Sequence, residues 1–481
     1  MIDFRPILLV NGILLSILSL VMLLPAAIDW AADHPDWKIF AISSMATGFI
    51  GVSLFLTNRG YKENLTLRQA FLFTTVSYII LSFFAAIPLY MADIGMHGVD
   101  AFFEAVSGIT ATGASVMTGL DTAPPGILLW RSLLNALGGI GIVVLTLAVL
   151  PMLQIGGMQL FRTESSDRME KALPRTTQIA GVISIVFVSL TLTCAFAYWL
   201  AGMSGFDAIC HALTTVATGG FSTHDQSIAF YDSFAIEMIA MIFMISGALP
   251  LMLYYKALRG DQSILRDTQV RFFFKVVLLV IAMLSLWLMT TQDHSWGQAL
   301  RYTSFNVISV ITTTGYASTN YSSWGTFAMV VFFMLIVVGG CTGSTSGGIK
   351  IFRFQVLIQI VKAQIAKLLQ PHGVFIPQFN GKQVDTDAAS SVMSFFLLFA
   401  FCFMMLAMVL SSFGLDFLTA MSAAAQALAN VGPGLGDIVG PAGNYGSLPD
   451  GAKWLLSFIM IMGRLEIMTV MVLFSKRFWR D

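Results

Sequence analysis

The sequence predicts an all-α polytopic membrane protein. Two N-terminal transmembrane helices precede four pseudo-symmetric membrane–pore-loop–membrane repeats. Three observations carry this reading. Of 481 residues, 57% are hydrophobic and 11% charged, with a mean hydropathy of +0.80, whereas a soluble domain carries roughly a quarter charged residues. The apolar residues come in runs near the ~20 needed to cross ~30 Å of hydrocarbon. Four short stretches then set a glycine in a threonine- or amide-rich pocket between apolar segments: Thr110-Ala111-Thr112-Gly113-Ala114, Ala217-Thr218-Gly219-Gly220-Phe221, Thr312-Thr313-Thr314-Gly315-Tyr316 and Ala429-Asn430-Val431-Gly432-Pro433.

Apolar segments are broken four times in one manner only if the broken pieces meet. Four short loops around one axis can replace the water shell of a single ion with backbone carbonyls. One ion pore is therefore the first expectation. Membrane lipid surrounds such a chain, and its zero net charge gives no support to a nucleic-acid partner. Cys194, Cys210, Cys341 and Cys402 lie in or beside apolar spans without a CxxC pair, so neither a zinc site nor a disulfide framework is expected. The six histidines lack metal-ligand spacing.

Taken in order, residues 1–65 hold two spans, near 6–28 and 38–57. The first is too long for a signal peptide and lacks a small-residue cleavage site. Eight further spans follow near 69–91, 127–151, 176–202, 233–256, 273–291, 326–349, 390–413 and 453–475. Between alternate pairs lie pieces too short to cross, near 98–113, 205–220, 297–315 and 415–432, each ending in a glycine stretch. These are expected to be re-entrant half-helices. The repeats occupy 66–160, 170–260, 268–352 and 389–481, with glycines 107, 95 and 117 residues apart.

Lys and Arg cluster on one side of the spans, from Arg5 through Arg59, Arg168, Lys256 and Lys350 to Arg480. The opposite side holds aspartates such as Asp29, Asp100, Asp207 and Asp416. Both termini are thus expected to be cytoplasmic, with the half-helices entering from outside. Residues 353–388 form a cytoplasmic linker: an amphipathic basic helix over 353–369, then a hairpin turned at Asn380-Gly381. It either docks a soluble partner or simply packs under the bundle.

Non-helical backbone at membrane depth is tolerated where it lines a cavity, and glycine lets carbonyls turn toward an axis. Half-helices entering from outside aim their negative C-terminal dipole ends inward, which favours a cation. Asp100, Asp207 and Asp416 either cap the half-helices or concentrate cations at the mouth. In the third repeat the run Gly339-Gly340-Cys341-Thr342-Gly343-Ser344-Thr345-Ser346-Gly347-Gly348 holds five glycines, two serines and two threonines. It is expected to leave the helix and form an intramembrane gate. Arg464 and Glu466 stand in apolar surroundings; an intramembrane arginine is a functional candidate, opposing cations if it faces the pore. Glu466 or another acid is expected to neutralise it in part.

At Thr312–Tyr316, Gly339–Lys350, Gly432-Pro433-Gly434 and Gly463–Glu466 the chain resembles the Trk/Ktr/HKT superfamily of potassium transporters, most closely its TrkH-like members. The resemblance covers essentially the whole chain. It implies one K⁺ pore per chain, a filter centred on Gly113, Gly220, Gly315 and Gly432, a gate at Gly339–Gly348 and a pore arginine at Arg464. Thr110, Ala111, Thr112, Thr218, Gly219, Thr313, Thr314, Asn430 and Val431 would complete the filter. It further implies a homodimer in the bacterial inner membrane and a separate cytosolic TrkA-like nucleotide-binding regulatory subunit. The transported K⁺ is the only ligand implied, with no organic cofactor. The fourth stretch has no threonine, so an asymmetric filter of looser selectivity, passing Na⁺ or Rb⁺, is expected.

Two other classes compete. An H⁺- or Na⁺-coupled potassium or sodium symporter also uses broken helices, but such carriers typically show inverted repeats, whereas these four share one orientation. An intramembrane enzyme would need paired aspartates or HExxH, and the spans hold neither.

Overall fold

The computed structural model describes residues 3–60, 66–148, 176–261, 263–292 and 294–480. Parts of the expected link between the first and second repeats, and of the loop ahead of the first, lie outside these residues. Helix α1 (Arg5–Ala31) and helix α2 (Trp37–Asn58) pack together as an antiparallel pair. The buried Asp29 of α1 accepts from the Gly126 amide at 2.6 Å, tying this pair to the rest.

The element order then repeats. In the first unit, α3 (Leu67–Met91) and α5 (Pro125–Ala148) flank the short α4 (Gly98–Ile109). Helix α3 starts on a capping box, Thr66 with Gln69. In the second, α6 (Thr176–Leu200) leads to α7 (Gly205–Val216), then α8 (Phe234–Ala248) and α9 (Leu251–Leu258). The third holds α10 (Thr268–Thr291), α11 (Trp296–Ile311) and α12 (Thr326–Val337), the fourth α14 (Thr386–Ser412), α15 (Phe417–Ala429), α16 (Asp450–Arg464) and α17 (Ile467–Met471). Between them, α13 (Ile351–Leu369) leads into a hairpin of β1 (Gln378–Phe379) and β2 (Lys382–Gln383). Asn380 and Gly381, with φ of 51° and 75°, supply the two left-handed residues of its turn.

Three of the expected full spans are broken. Among the described residues seven helices are long and apolar enough to cross a membrane, and two bent pairs bring the number to nine. Helices α8 and α9 meet at 96°, where Pro250 cannot continue the helix. Helix α16 and the segment from Ile467 meet at 111°, at Leu465 and Glu466, the latter with φ of 67°. Helix α12 stops at Val337 after 12 residues, and a non-helical loop runs to Lys350. By contrast, α5 stays helical through Gly138-Gly139-Ile140-Gly141. A side-chain carbon on Gly138 would overlap the Ile109 carbonyl of α4, so these glycines let a half-helix end press against the span.

Candidate functional site

The short helices α4, α7, α11 and α15 have 12, 12, 16 and 13 residues. At ~1.5 Å per residue none covers ~30 Å. All four stop in the same way. Ala111, Thr218, Thr313 and Asn430 adopt left-handed φ of 48°, 51°, 60° and 55°. The next residue then donates its amide five positions back: Thr112 to Ser107, Gly219 to Thr214, Thr314 to Ser309 and Val431 to Gln426, at 2.8–3.1 Å. This is the Schellman termination, which ordinarily places glycine at the left-handed position. Here alanine, two threonines and asparagine fill it. For β-branched threonine the conformation is strained and persists only because its surroundings impose it.

Two residues after each of these left-handed positions the chain turns left-handed again, at Gly113, Gly220, Gly315 and Gly432, with φ of 85°, 73°, 84° and 104°. A side-chain carbon on Gly113 would overlap the carbonyl oxygen of Gly219. On Gly220 it would meet that of Thr314, on Gly315 that of Val431, and on Gly432 that of Thr112. Each oxygen belongs to the residue just before the next stretch's glycine, so the four approaches close a ring. The second stretch enters it through Gly220, with Gly219 supplying the carbonyl. A pocket of about 100 Å³ touches all four glycines on one side of the ring. Its walls include Ser115, Arg131, Ser222, Asp225 and Tyr445.

Side chains behind the ring hold it. Thr110 and Thr112 hydroxyls are 2.7 Å apart, and Thr312 and Thr314 hydroxyls 2.8 Å. Asn430 Nδ2 donates to Thr112 Oγ1 and to the Met460 carbonyl, both at 2.9 Å, joining the fourth stretch to the first. The Tyr316 hydroxyl bonds with Thr214 and, at 3.2 Å, with Thr215, joining the third stretch to α7. Tyr445 donates to the Gly432 carbonyl at 2.9 Å. Glu104, His211 and Asn306 each stand nine residues before their glycine and bond to Val116, Ser222 and Ser318 beyond it. Sequence reasoning singled out none of these three, although their common spacing from the glycines was visible. The fourth unit uses Ser422, which accepts from the Leu435 amide at 3.0 Å.

The run Gly339–Gly348 lies against the other face of the ring. Nearly every residue in it is buried. The Gly347 amide donates to Thr313 Oγ1 and the Gly348 amide to the Ala429 carbonyl, both at 2.7 Å. Thr345 Oγ1 donates to the Val216 carbonyl at 2.9 Å and receives a bond from Thr218 at 3.2 Å. Thus donors of the loop occupy carbonyls at the C-terminal ends of α7 and α15, the negative ends of those helices. The loop is also pinned to the break after α8: the Cys341 amide donates to Ala248, Thr345 to Gly247, and Leu251 to the Gly343 carbonyl, at 2.9–3.1 Å. The Thr342 amide donates to Gln269, and the Lys350 ammonium bonds to the Ser346 carbonyl.

Arg464, 3% exposed, reaches the Gly138 carbonyl from Nη2 at 3.4 Å. Glu466 does not neutralise it. The carboxylate instead pairs with Arg353 Nη2 at 2.8 Å, because the 111° break turns Glu466 away from α16. Lys350 lies near Arg464, Arg353 and Glu466 in this buried region.

Of the three aspartates at the half-helix starts, Asp416 caps α15 by accepting from Thr419 at 3.1 Å. Ser204 caps α7, and Asp207 binds the Ser204 hydroxyl. Asp100 pairs with Lys453 at 2.6 Å. Hydrogen bonds from Thr419 and its neighbours hold the Asp416 carboxyl below the usual carboxylate range.

Residues 37–481 match the family model for TrkH, described as a cation transport protein. The chain is 43% identical over 480 residues to the Trk system potassium uptake protein TrkI of Halomonas elongata, covering 99% of this chain and 97% of that one. It is 34% identical to the Trk system potassium uptake protein TrkH of Escherichia coli K12, covering 99% and 100%. The crystal structure of the potassium transporter TrkH from Vibrio parahaemolyticus superposes with a TM-score of 0.92 at 34% identity, over 100% of both chains.

Proposed function

The chain belongs to the TrkH family of cation transport proteins, and from that premise we infer that it takes up potassium across the bacterial inner membrane through the ring of four glycine stretches. The observation that carries this reading is the closed circuit of glycine against carbonyl from Gly113 through Gly220 and Gly315 to Gly432. Backbone oxygens set around one axis supply the ligands that a K⁺ ion loses with its water. The pocket of Ser115, Asp225 and Tyr445 is the outer mouth, and helix C-termini aimed at the ring add negative potential.

The loop Gly339–Gly348 is the gate. Its amides and the Thr345 hydroxyl fill the carbonyls beneath the ring, so an ion leaving inward must displace them. Arg464, buried beside the Gly138 carbonyl while Glu466 is paired with Arg353, adds a positive barrier below. The cytoplasmic linker of α13 and the hairpin is where a nucleotide-binding regulatory subunit would act, and a homodimer with one pore per protomer is the expected assembly. Both termini face the cytoplasm in this reading.

Complementation tests the function. A strain lacking potassium uptake, given this gene, should grow on low K⁺, and purified protein in liposomes should pass K⁺ down its gradient. No growth and no flux from correctly folded protein would refute the reading. Flux that needs an imposed pH or Na⁺ gradient would replace the pore with a coupled symporter.

A further inference from the structure

The ring is braced unevenly, and behind its first and second stretches the brace is a buried ion pair. Arg131 of α5 meets Glu104 of α4 with Nε to Oε1 at 2.7 Å and both side chains almost wholly buried. Glu104 also accepts from Ser115 Oγ at 2.9 Å and from the Val116 amide at 2.9 Å. The guanidinium spends its other two nitrogens on the ring segments. Nη2 donates to Ser115 Oγ and Nη1 to the Ser222 carbonyl, both at 3.0 Å. Ser115 lies two residues past Gly113, and Ser222 two past Gly220. One planar fork therefore grips the same point on two adjacent stretches.

The guanidinium also lies 4.2 Å from the centre of the Phe221 ring. One turn further along α5, Asn135 donates to the Gly108 carbonyl at 3.1 Å and accepts from the Phe221 amide at 3.4 Å. The same helix face thus ties α4 to the second stretch twice. Stability alone is a poor reason for a buried ion pair, since apolar replacements of like volume are often as stable or more so. A rigid bidentate fork does supply fixed spacing, which a lysine's single ammonium does not.

We propose that Glu104 and Arg131 are positioning residues that set ion selectivity, by fixing the distance between the first and second segments of the carbonyl ring. The proposal rests on the reading of that ring as the potassium filter. A ring that widens on one side coordinates Na⁺ and K⁺ more evenly.

The test is the ratio of K⁺ to Na⁺ flux in liposomes holding the purified full-length protein. Arg131→Lys keeps the charge and loses the fork, and the ratio should fall at least threefold while the thermal midpoint stays near that of the parent. Glu104→Gln/Arg131→Gln, which removes the fork without leaving an unpaired charge, should lower the ratio similarly and serves if Arg131→Lys does not fold. Gly315→Ser is measured alongside as a change within the ring itself. If Gly315→Ser alters the ratio and a folded Arg131 variant keeps it, the positioning role is overturned. If neither alters it, the filter reading fails, and this proposal with it.

Discussion

Two glycine-rich stretches hold equivalent places in the second spans of their repeats and behave in opposite ways. Gly138–Gly141 stays helical within α5, whereas Gly339–Gly348 leaves the helix altogether. The glycine count alone does not decide this. The first run sits among Leu137, Ile140, Ile142 and Val143, and its missing side chains admit the Ile109 carbonyl and Ala217. The second is interleaved with serine and threonine and takes left-handed φ at Gly343 and Gly348 (77° and 67°), which no α-helix accommodates. Its freed donors have partners waiting in the helix ends above. One run uses glycine for closeness, the other for a backbone that can bond across repeats.

Deletion within the second run should separate the two stretches most forcefully. Removing part of Gly340–Gly347 should raise basal K⁺ flux by about tenfold or more, a barrier drop of at least ~1.4 kcal/mol. A stable deletion that conducts less would contradict the gate. Arg464→Gln removes the cation at Gly138 without altering the loop, and flux should rise several-fold in the same liposome assay; unchanged flux would take Arg464 out of the barrier. Thr345→Val deletes a hydroxyl with three partners, a loss on the order of 1–3 kcal/mol for the buried carbonyl left bare. Part of that should appear as roughly a twofold rise in basal flux, and none would mean that the backbone bonds hold the loop unaided. At the other stretch, Gly139→Ala should lower the thermal midpoint by a few degrees, because a methyl there crowds Ala217, with basal flux unchanged. A rise in flux from this variant would erase the distinction between the two runs.

Much of this architecture is legible in the sequence. Hydropathy marks the spans, and the short apolar pieces ending at Gly113, Gly220, Gly315 and Gly432 are the half-helices. Asn380-Gly381 marks the hairpin because its turn admits few residues. Ser246–Pro250 and Gly463–Glu466 stand out as irregular residues in their spans, but the bends there do not, since an average over a window does not register a 96° or 111° turn between two apolar halves. The braces escape for a related reason. Glu104, Arg131, Asn135 and His211 are single polar residues in apolar windows, and their partners lie 11 to 91 residues away. Glu104 and His211 are marked by a constant offset of nine residues from their glycines, and Arg131 and Asn135 by nothing of the kind. The pairing of Glu466 with Arg353 rather than Arg464 depends wholly on the break between α16 and α17.

In the proposed function, four glycines packed against four carbonyls make one K⁺-selective ring. The most direct measurement is the K⁺ to Na⁺ flux ratio of Gly315→Ser against the parent in liposomes. The substituted side chain would push on the Val431 carbonyl, so the ratio should fall several-fold. A folded Gly315→Ser protein with the parent's ratio would contradict the claim.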